Sequence, residues 1–273
     1  GEANQSTDTA TYKAALLQLV NDLCTDVVAG TGQARPPGFF TYQTSANPNN
    51  DTNNGGTVQA QLELALEDPR VTMIGPIYQV PDSAGLHLVA NPYRWVGGYF
   101  AKAMHRVLNQ GQRFLPLHMR SARRRGREIL IDFHVPVPPL VFEDPWLQDG
   151  FSGAYGVSPL AQTNTQYAAP NKGFVVRNMT TSTNLTISSV AFASDTSVLV
   201  TLSAEPSASD TLAVRYASGV TYGHGCVRDS DPTTADDAWE HVSGRTDADT
   251  NAALLGAPYP LPNWAVAQHI EVT

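Results

Sequence analysis

The strongest indication of a fold comes from the stretch Pro81-Asp-Ser-Ala-Gly-Leu-His87-Leu-Val-Ala-Asn-Pro-Tyr93-Arg-Trp-Val-Gly-Gly-Tyr-Phe100. It joins an apolar run that begins at Val71 to an amphipathic helix predicted over residues 91–108. A loop of this kind lies at the carboxyl edge of a parallel sheet. A histidine held there, with a carboxylate nearby, is placed to act as a general base. The simpler interpretation is a surface histidine at the start of a helix.

Helical and strand-like patterns alternate up to about residue 112. Apolar residues recur with a helical period over residues 11–29, and a second helix is predicted over residues 58–67. Residues 39–42 and the run from residue 71 are the predicted buried strands. This order is typical of an α/β domain with a parallel sheet, to which we assign residues 1–112.

The pattern becomes all-β beyond residue 112. Short alternating strands are predicted at residues 128–135, 173–176, 185–191, 197–202 and 211–216, with turn residues between them. Strands of this length and spacing are typical of a β-sandwich. We therefore assign residues 113–273 to an appended sandwich-like domain.

Composition limits the classes of function. The chain has 273 residues and a net charge of −8, which argues against a general affinity for nucleic acid or for anionic membranes. Its apolar runs are too short to span a membrane, so a soluble protein is expected. The basic residues between 120 and 127 are interpreted as a solvated linker, with a phosphate or glycan site as the alternative. The cysteines and histidines lack metal-ligand spacing, and no Gly-rich phosphate loop is present; neither a metal nor a nucleotide cofactor is expected.

Two blocks of the sequence resemble the SGNH (GDSL-like) hydrolases. Gly1-Glu-Ala-Asn4 matches the family's Gly-Glu-Ser/Ala-Asn/Asp block, and Gly85-Leu-His87 with Tyr93-Arg-Trp-Val-Gly97 matches its histidine loop and following helix. The chain looks most similar to the branch of sialate and xylan O-acetylesterases that includes esterase modules of phage tail proteins. The resemblance implies that residues 1–112 are the rear part of a three-layer SGNH-like parallel sheet. It also implies a bacterial or phage protein, extracellular or virion-associated.

The resemblance implies a catalytic role for His87 as the base of a serine esterase triad. The family has an aspartate three residues before this histidine, where the present chain has Ala84. The orienting acid is therefore either Asp82, five residues before His87, or Glu2 in the first block. For Asp82 the alternative interpretation is the cap of a turn.

The first block supplies the predicted oxyanion donors. A backbone N–H of the Gly1 block and the side chain of Asn4 would bind the tetrahedral oxyanion. The alternative for Asn4 is a cap for the helix that starts near Thr9. The family's Gly-x-Ser nucleophile block precedes the Gly-Glu block, so we expect the serine on a preceding segment or on a second polypeptide.

Two hypotheses follow for the function. The first is a cofactor-free serine ester hydrolase that removes O-acetyl or similar acyl groups from carbohydrates or acts on small esters. The second is a non-catalytic carbohydrate-binding or structural tail module. Surface aromatic residues that could stack on sugar rings under either hypothesis are Trp146, Tyr155 and Trp239, although packing is the commoner role for such side chains.

Overall fold

The computed structural model describes most of the chain. The described ranges are residues 3–4, 6–44, 55–80, 82–83, 87–88, 90–143, 171–218, 223–240 and 255–273. No helix within these ranges is long and apolar enough to cross a membrane.

The first helix, α1 (Thr9–Thr31), begins and ends with clear capping interactions. The Asp8 carboxylate accepts a hydrogen bond from the Thr11 N–H at 2.9 Å, and Gly32 ends the helix in the left-handed conformation with φ 68°. An aspartate at this position satisfies an N–H that has no partner inside the helix. α1 buries Val20 and Cys24 against the second helix, α2 (Gly56–Glu67).

A small parallel sheet lies between two helical layers. Strand β1 (Phe39–Gln43) pairs in parallel with β2 (Val71–Pro76), every residue of which is buried. Met73 of β2 packs in one apolar cluster with α1 and α2, whereas Ile74 packs in the other cluster, with the third helix. The layering matches the predicted α/β arrangement. The parallel sheet is smaller than expected, because the described residues contain only these two parallel strands.

The third helix, α3 (Ala90–Met104), follows a short hairpin. Strands β3 (Asp82–Ser83) and β4 (His87–Leu88) pair in antiparallel orientation between β2 and α3. A π-helical turn, His105–Asn109, continues α3. Sequence periodicity predicts one α-helix over residues 91–108; the structure changes to π-helical hydrogen bonding after Met104, and such turns are frequent at functional sites.

The C-terminal part contains two antiparallel sheets of four strands each, in agreement with a sandwich-like β region. The strands of the first sheet are β5 (His118–Arg125), β6 (Glu128–His134), β10 (Ile187–Ser194) and β11 (Ser197–Leu202), in the order β10-β11-β6-β5. Those of the second are β8 (Phe174–Asn178), β9 (Thr183–Leu185), β12 (Leu212–Tyr216) and β16 (Gln268–Glu271), in the order β16-β12-β8-β9. Phe133 and Phe174 meet edge-to-face between the two sheets, with ring centroids 6.4 Å apart.

Two short pairs complete the β region. β7 (Val141–Phe142) pairs with β13 (Val227–Arg228), and β14 (Thr234–Ala238) pairs with β15 (Pro258–Pro260). The basic residues interpreted as a linker lie in and just after β5 instead. Arg124 there donates to the carbonyl oxygens of Gly126, Pro206 and Ser207, so its guanidinium holds a loop of the sandwich.

One apolar core spans the two predicted domains. Ile74 and Trp95, which precede residue 112, belong to the same buried cluster as Ile131 and Val214, which follow it. The division at residue 112 stays a prediction. The cysteines Cys24 and Cys226 are both buried free thiols, as is usual for isolated cysteines in a core.

A ladder of hydrogen bonds joins one face of α3 to the segment around residues 260–263. Trp95 Nε1 donates to the Pro260 carbonyl at 2.7 Å, Lys102 Nζ to the Leu261 carbonyl at 2.6 Å and Tyr99 Oη to the Pro262 carbonyl at 3.0 Å. These positions lie on one helix face because residues three and four apart are neighbours. The ladder fixes α3, and with it the end of the preceding hairpin, to the β region.

Asn91 in the first turn of α3 tests this attachment. Its side chain is 1% exposed, donates to the Glu240 carbonyl, and accepts from the Glu240 N–H and the Tyr259 hydroxyl. We expect Asn91→Ala to lower the free energy of unfolding by about 1–3 kcal/mol, the usual cost of breaking buried polar contacts. Chemical denaturation measures the change. Asn109→Ala, at an exposed asparagine in the π-helical turn, should change stability by less than about 0.5 kcal/mol.

A pair of histidines across β5 and β6 predicts a dependence of stability on pH. His118 and His134 are directly opposed, with ring centroids 5.2 Å apart, and burial is the main cause of the lowered pKa of each. Their folded-state pKa values lie below the unfolded value of about 6.5, so the unfolded state binds more protons as the pH falls through that value. We expect the unfolding free energy to decrease from pH 7.5 to pH 5.5 in urea titrations, and His118→Gln to reduce this decrease. If the unfolding free energy of His118→Gln decreases as much as that of the wild-type protein, or more, His118 is not a source of the pH dependence.

Candidate functional site at the carboxyl edge of the parallel sheet

The carboxyl edge of the β1–β2 sheet is held by a buried glutamine. Gln43, at the end of β1, has an exposed fraction of 0%. Its Nε2 donates to the Val58 carbonyl at 3.1 Å and the Ala267 carbonyl at 2.8 Å, and its Oε1 accepts from the Ala267 N–H at 2.7 Å. The edge is therefore bonded both to the start of α2 and to the β region.

The segment that contains Asn4 lies against the start of α2. The buried Thr57 hydroxyl donates to the Asn4 carbonyl at 2.8 Å. Gly56 approaches this segment so closely that a Cβ atom at its position would lie 2.5 Å from the Thr7 carbonyl oxygen. Thr57 and Gly56 are residues that the sequence analysis missed, since neither belongs to a recognised block. They bring Asn4 to the start of α2, whose amino end lies at the same edge of the sheet as the end of β1.

The structure decides between the two interpretations of Asn4 only in part. Asp8, not Asn4, caps α1, so the alternative in which Asn4 is the helix cap is wrong. The Asn4 carbonyl also accepts from the Thr7 N–H at 3.2 Å and closes a turn just before the helix. Asn4 is exposed. Its role as an oxyanion donor stays a prediction, and Gly1 and Glu2 lie outside the described residues.

The hairpin between β2 and α3 contains the predicted base, His87, and one of the two predicted orienting acids, Asp82. Asp82 is opposite Leu88 in the strand register, and Ser83 is opposite His87. The backbones of Asp82 and His87 are thus on facing strands, one register position apart. Their side chains, like residues 84–86, lie outside the described part of the structure. Their contact with each other, or of His87 with Glu2, stays a prediction.

An apolar cavity of about 220 Å³ adjoins the hairpin at Leu88. α3 contributes Val96 and Phe100 to its lining, and β1 contributes Tyr42. The full lining is Tyr42, Ile77, Leu88, Tyr93, Val96, Gly97 and Phe100. Apolar cavities of this kind take the hydrocarbon part of a ligand.

Polar side chains are buried in the segment of chain between β2 and the hairpin. Gln79 is 1% exposed; its Nε2 donates to the Pro76 carbonyl at 2.9 Å, and its Oε1 has no hydrogen-bond partner among the described residues. Tyr78 donates to the Ala265 carbonyl at 2.6 Å. Burial is the main reason that the pKa of Tyr78 lies well above its usual value, so this tyrosine is a neutral donor at physiological pH.

The predicted sugar-stacking residues are only partly described. Trp239 is 1% exposed and packs edge-to-face against Trp95, with ring centroids 6.4 Å apart, so its assignment to the surface is wrong. Its apolar ring belongs to the shared core. Trp146 and Tyr155 lie outside the described residues. Within the described ranges, no group of three His, Cys, Asp or Glu side chains could hold a metal ion.

Comparison with known proteins places the fold near that of an esterase. No family model and no curated protein sequence matches the chain. Among solved structures, a carbohydrate acetylesterase from Xanthomonas citri superimposes with a TM-score of 0.56 at 12% sequence identity, covering 99% of this chain and 48% of that one. The chain spans about half the length of that esterase and has an esterase-like fold. The N-terminal part of the bacterial S-layer protein SbsC matches 68% of the chain and 29% of its own, at 13% identity, but its TM-score of 0.31 is too low to support an argument.

The close approach of Gly56 to the Thr7 backbone predicts that a larger residue at position 56 would displace the segment that contains Asn4. We expect Gly56→Ala to lower the unfolding free energy by about 1–3 kcal/mol, because the new methyl group must displace the Thr7 backbone. The matched control is Gly30→Ala near the end of α1, where a Cβ atom meets nothing within 4 Å. Alanine there should stabilise the helix by about 0.5–1 kcal/mol. Equal effects of both variants in denaturant titrations would show that the contact at Thr7 is unimportant.

Proposed function

We propose that this chain forms part of a serine ester hydrolase that removes acyl groups, such as O-acetyl, from carbohydrates. The observation that supports this most is the likeness of nearly the whole chain to the fold of a carbohydrate acetylesterase. The block order adds support, because the Gly-Glu block, the sheet edge and the histidine hairpin follow one another as in the SGNH hydrolases. A carbohydrate ester is the proposed substrate.

In the proposed mechanism His87 is the general base. It takes the proton from a serine hydroxyl while the serine oxygen attacks the ester carbonyl carbon, and it then gives this proton to the departing sugar oxygen. Water, deprotonated by the same imidazole, releases the acyl group from the serine. Asp82 or Glu2 orients the imidazole and stabilises its charged form. The hairpin backbone that brings Asp82 and His87 onto facing strands is consistent with the first choice.

The oxyanion of the tetrahedral intermediate is proposed to bind at the first block. Asn4 and a backbone N–H of the Gly1 block are the donors. The hydrogen bond from Thr57 to the Asn4 carbonyl supports this role, because an oxyanion donor must be held in place before the reaction begins.

The nucleophile is proposed to come from outside these 273 residues, on a segment or chain that carries a Gly-x-Ser block. The acetylesterase with the similar fold has a chain about twice as long as the part that superimposes, which leaves room for such a segment. The apolar cavity beside Leu88 is proposed to receive part of the acyl group.

The test is serine labelling of the protein isolated with every segment or chain that natively accompanies these residues. We expect a fluorophosphonate probe to label a serine that is not among residues 1–273, as located by peptide mass spectrometry. Hydrolysis of nitrophenyl acetate should fall by about 10²–10⁴-fold in His87→Ala, the usual contribution of general acid–base catalysis. The control variant is His134→Gln, at the last residue of β6 in the β-sandwich, and it should retain the activity.

Two outcomes would overturn the proposal. Full activity of His87→Ala in a correctly folded protein would exclude this base, and a label on a serine within the chain would exclude an external nucleophile. If the wild-type protein is not labelled and does not hydrolyse the ester, the result favours the alternative of a non-catalytic carbohydrate-binding or structural module.

A further inference from the structure

A large open groove runs along α3 and meets the apolar cavity at Gly97. Its volume is about 870 Å³, and its walls are α3 with the π-helical turn on one side and residues 231–237 on the other. Gly97, Gly98 and Ala101 form the helix wall, and a Cβ atom at Gly97 would meet nothing within 4 Å. The groove therefore exists because α3 presents small side chains here. From Arg94 to Arg106 the helix wall is about 18 Å long, at 1.5 Å per residue.

Two of the three long basic side chains in the groove are paired with carboxylates. Lys102 Nζ lies 2.8 Å from Asp231 Oδ2, and both side chains are nearly buried. Arg94 lies 3.3 Å from Asp237 and 2.8 Å from Glu240. Each of these cations is neutralised by the protein itself, so neither leaves a charge for a ligand to balance.

Arg106 differs from both. Its Nε atom is buried and has no hydrogen-bond partner among the described residues, and no described carboxylate lies within ion-pair distance of its guanidinium. A buried donor without a partner is costly, and a guanidinium is most strongly satisfied by a carboxylate that accepts two parallel hydrogen bonds.

The carboxylates of the groove leave Arg106 without an ion-pair partner among the described residues. Asp231 and Asp237 are held in the ion pairs described above, and Asp236, which also lines the groove, lies beyond ion-pair distance of the Arg106 guanidinium. An acceptor for this guanidinium is therefore what this end of the groove lacks among the described residues.

We propose that the groove binds a carboxylate-bearing sugar, a uronic acid unit of a glycan, and that Arg106 pairs with its carboxylate. The lining of the groove also includes the hydroxyl groups of Thr233 and Thr234, the carboxylate of Asp236 and the amide of Gln110. The Thr233 hydroxyl donates to Asp231 and the Gln110 amide contacts His105, which leaves their oxygen atoms to accept from a ligand. Hydrogen-bond donors and acceptors together suit sugar hydroxyls, which both donate and accept. The described lining contains no Phe, Tyr or Trp side chain, so binding here would depend on hydrogen bonds and charge and not on aromatic stacking. The carboxylate is inferred from Arg106 alone; the choice of a sugar as its carrier rests on the proposed function.

The experiment measures binding without hydrolysis. A galacturonic acid trisaccharide without ester groups and the corresponding neutral galactose trisaccharide are titrated into the full protein and followed by calorimetry. We expect the acidic trisaccharide to bind at least about tenfold more tightly than the neutral one, because the neutral trisaccharide cannot form the charge-assisted hydrogen bond with Arg106. Arg106→Gln should remove this preference, and Ala101→Trp, which fills the groove, should abolish binding of both.

The control is Arg123→Gln, at an arginine that is 68% exposed on the β-sandwich and should leave both affinities unchanged. Equal affinity for the two trisaccharides, unaffected by Arg106→Gln, overturns carboxylate recognition. If neither trisaccharide binds, the proposal of a glycan site is overturned. Both failures leave the serine-labelling test intact, because that test reports on the ester hydrolase and not on this groove. Tight binding of galacturonate monomer with no gain from the trisaccharide would reduce the site to a simple anion pocket and also contradict the proposal.

Discussion

The hydrogen bonds between one face of α3 and the chain from Pro260 to Pro262 are the contacts on which the rest of the structure depends. A parallel sheet of two strands has little apolar area of its own, and parallel strands are normally covered on both faces. Here α3 covers one face, and the position of α3 is set by donors that point at successive carbonyl groups of a distant segment. Those carbonyl groups would otherwise be buried without partners, so the helix and the segment must fold together.

The C-terminal residues extend this dependence to the whole molecule. Ala267 is bonded on both its N–H and carbonyl sides to Gln43 at the sheet edge, and the Gln59 side chain of α2 accepts from the His269 N–H. The same segment then enters the sandwich as β16 and ends beside β5, where Thr273 bonds to Ala122. The α/β part and the β part are therefore joined by hydrogen bonds from glutamine side chains to the backbone as well as by a shared core, so the sheet edge and the sandwich are held by the same segment.

Local patterns predict the helices and strands but not how they meet. Periodicity predicts α1 and α2 to within two residues of their observed starts, because apolar residues recur in each at helical spacing. It does not predict how much of each helix is buried: α1 buries Val20 and Cys24, whereas α2 is buried on nearly all sides. It does not show the π-helical turn after Met104, because apolar spacing does not distinguish α-helical from π-helical hydrogen bonding over five residues. The burial of Trp239 is not predicted either, because this ring packs against Trp95, which is 144 positions away in the sequence. For the site, the roles of His87 and Asn4 stay predictions from the block resemblance. The helix cap is Asp8 rather than Asn4, because Asp8 is the polar residue directly before the first helical turn.

The groove could not be predicted from the sequence because its walls are distant in the chain and Arg106 has no motif around it. Its position nevertheless connects it with the proposed reaction centre. Gly97 lines both the groove and the apolar cavity beside Leu88, so the two adjoin the same turn of α3. A glycan held by Arg106 can thus cross the helix at its smallest residue and present an ester toward the hairpin. A large side chain at position 97 would obstruct that crossing, which gives a glycine in the middle of a helix a reason to be there despite its cost to helix stability.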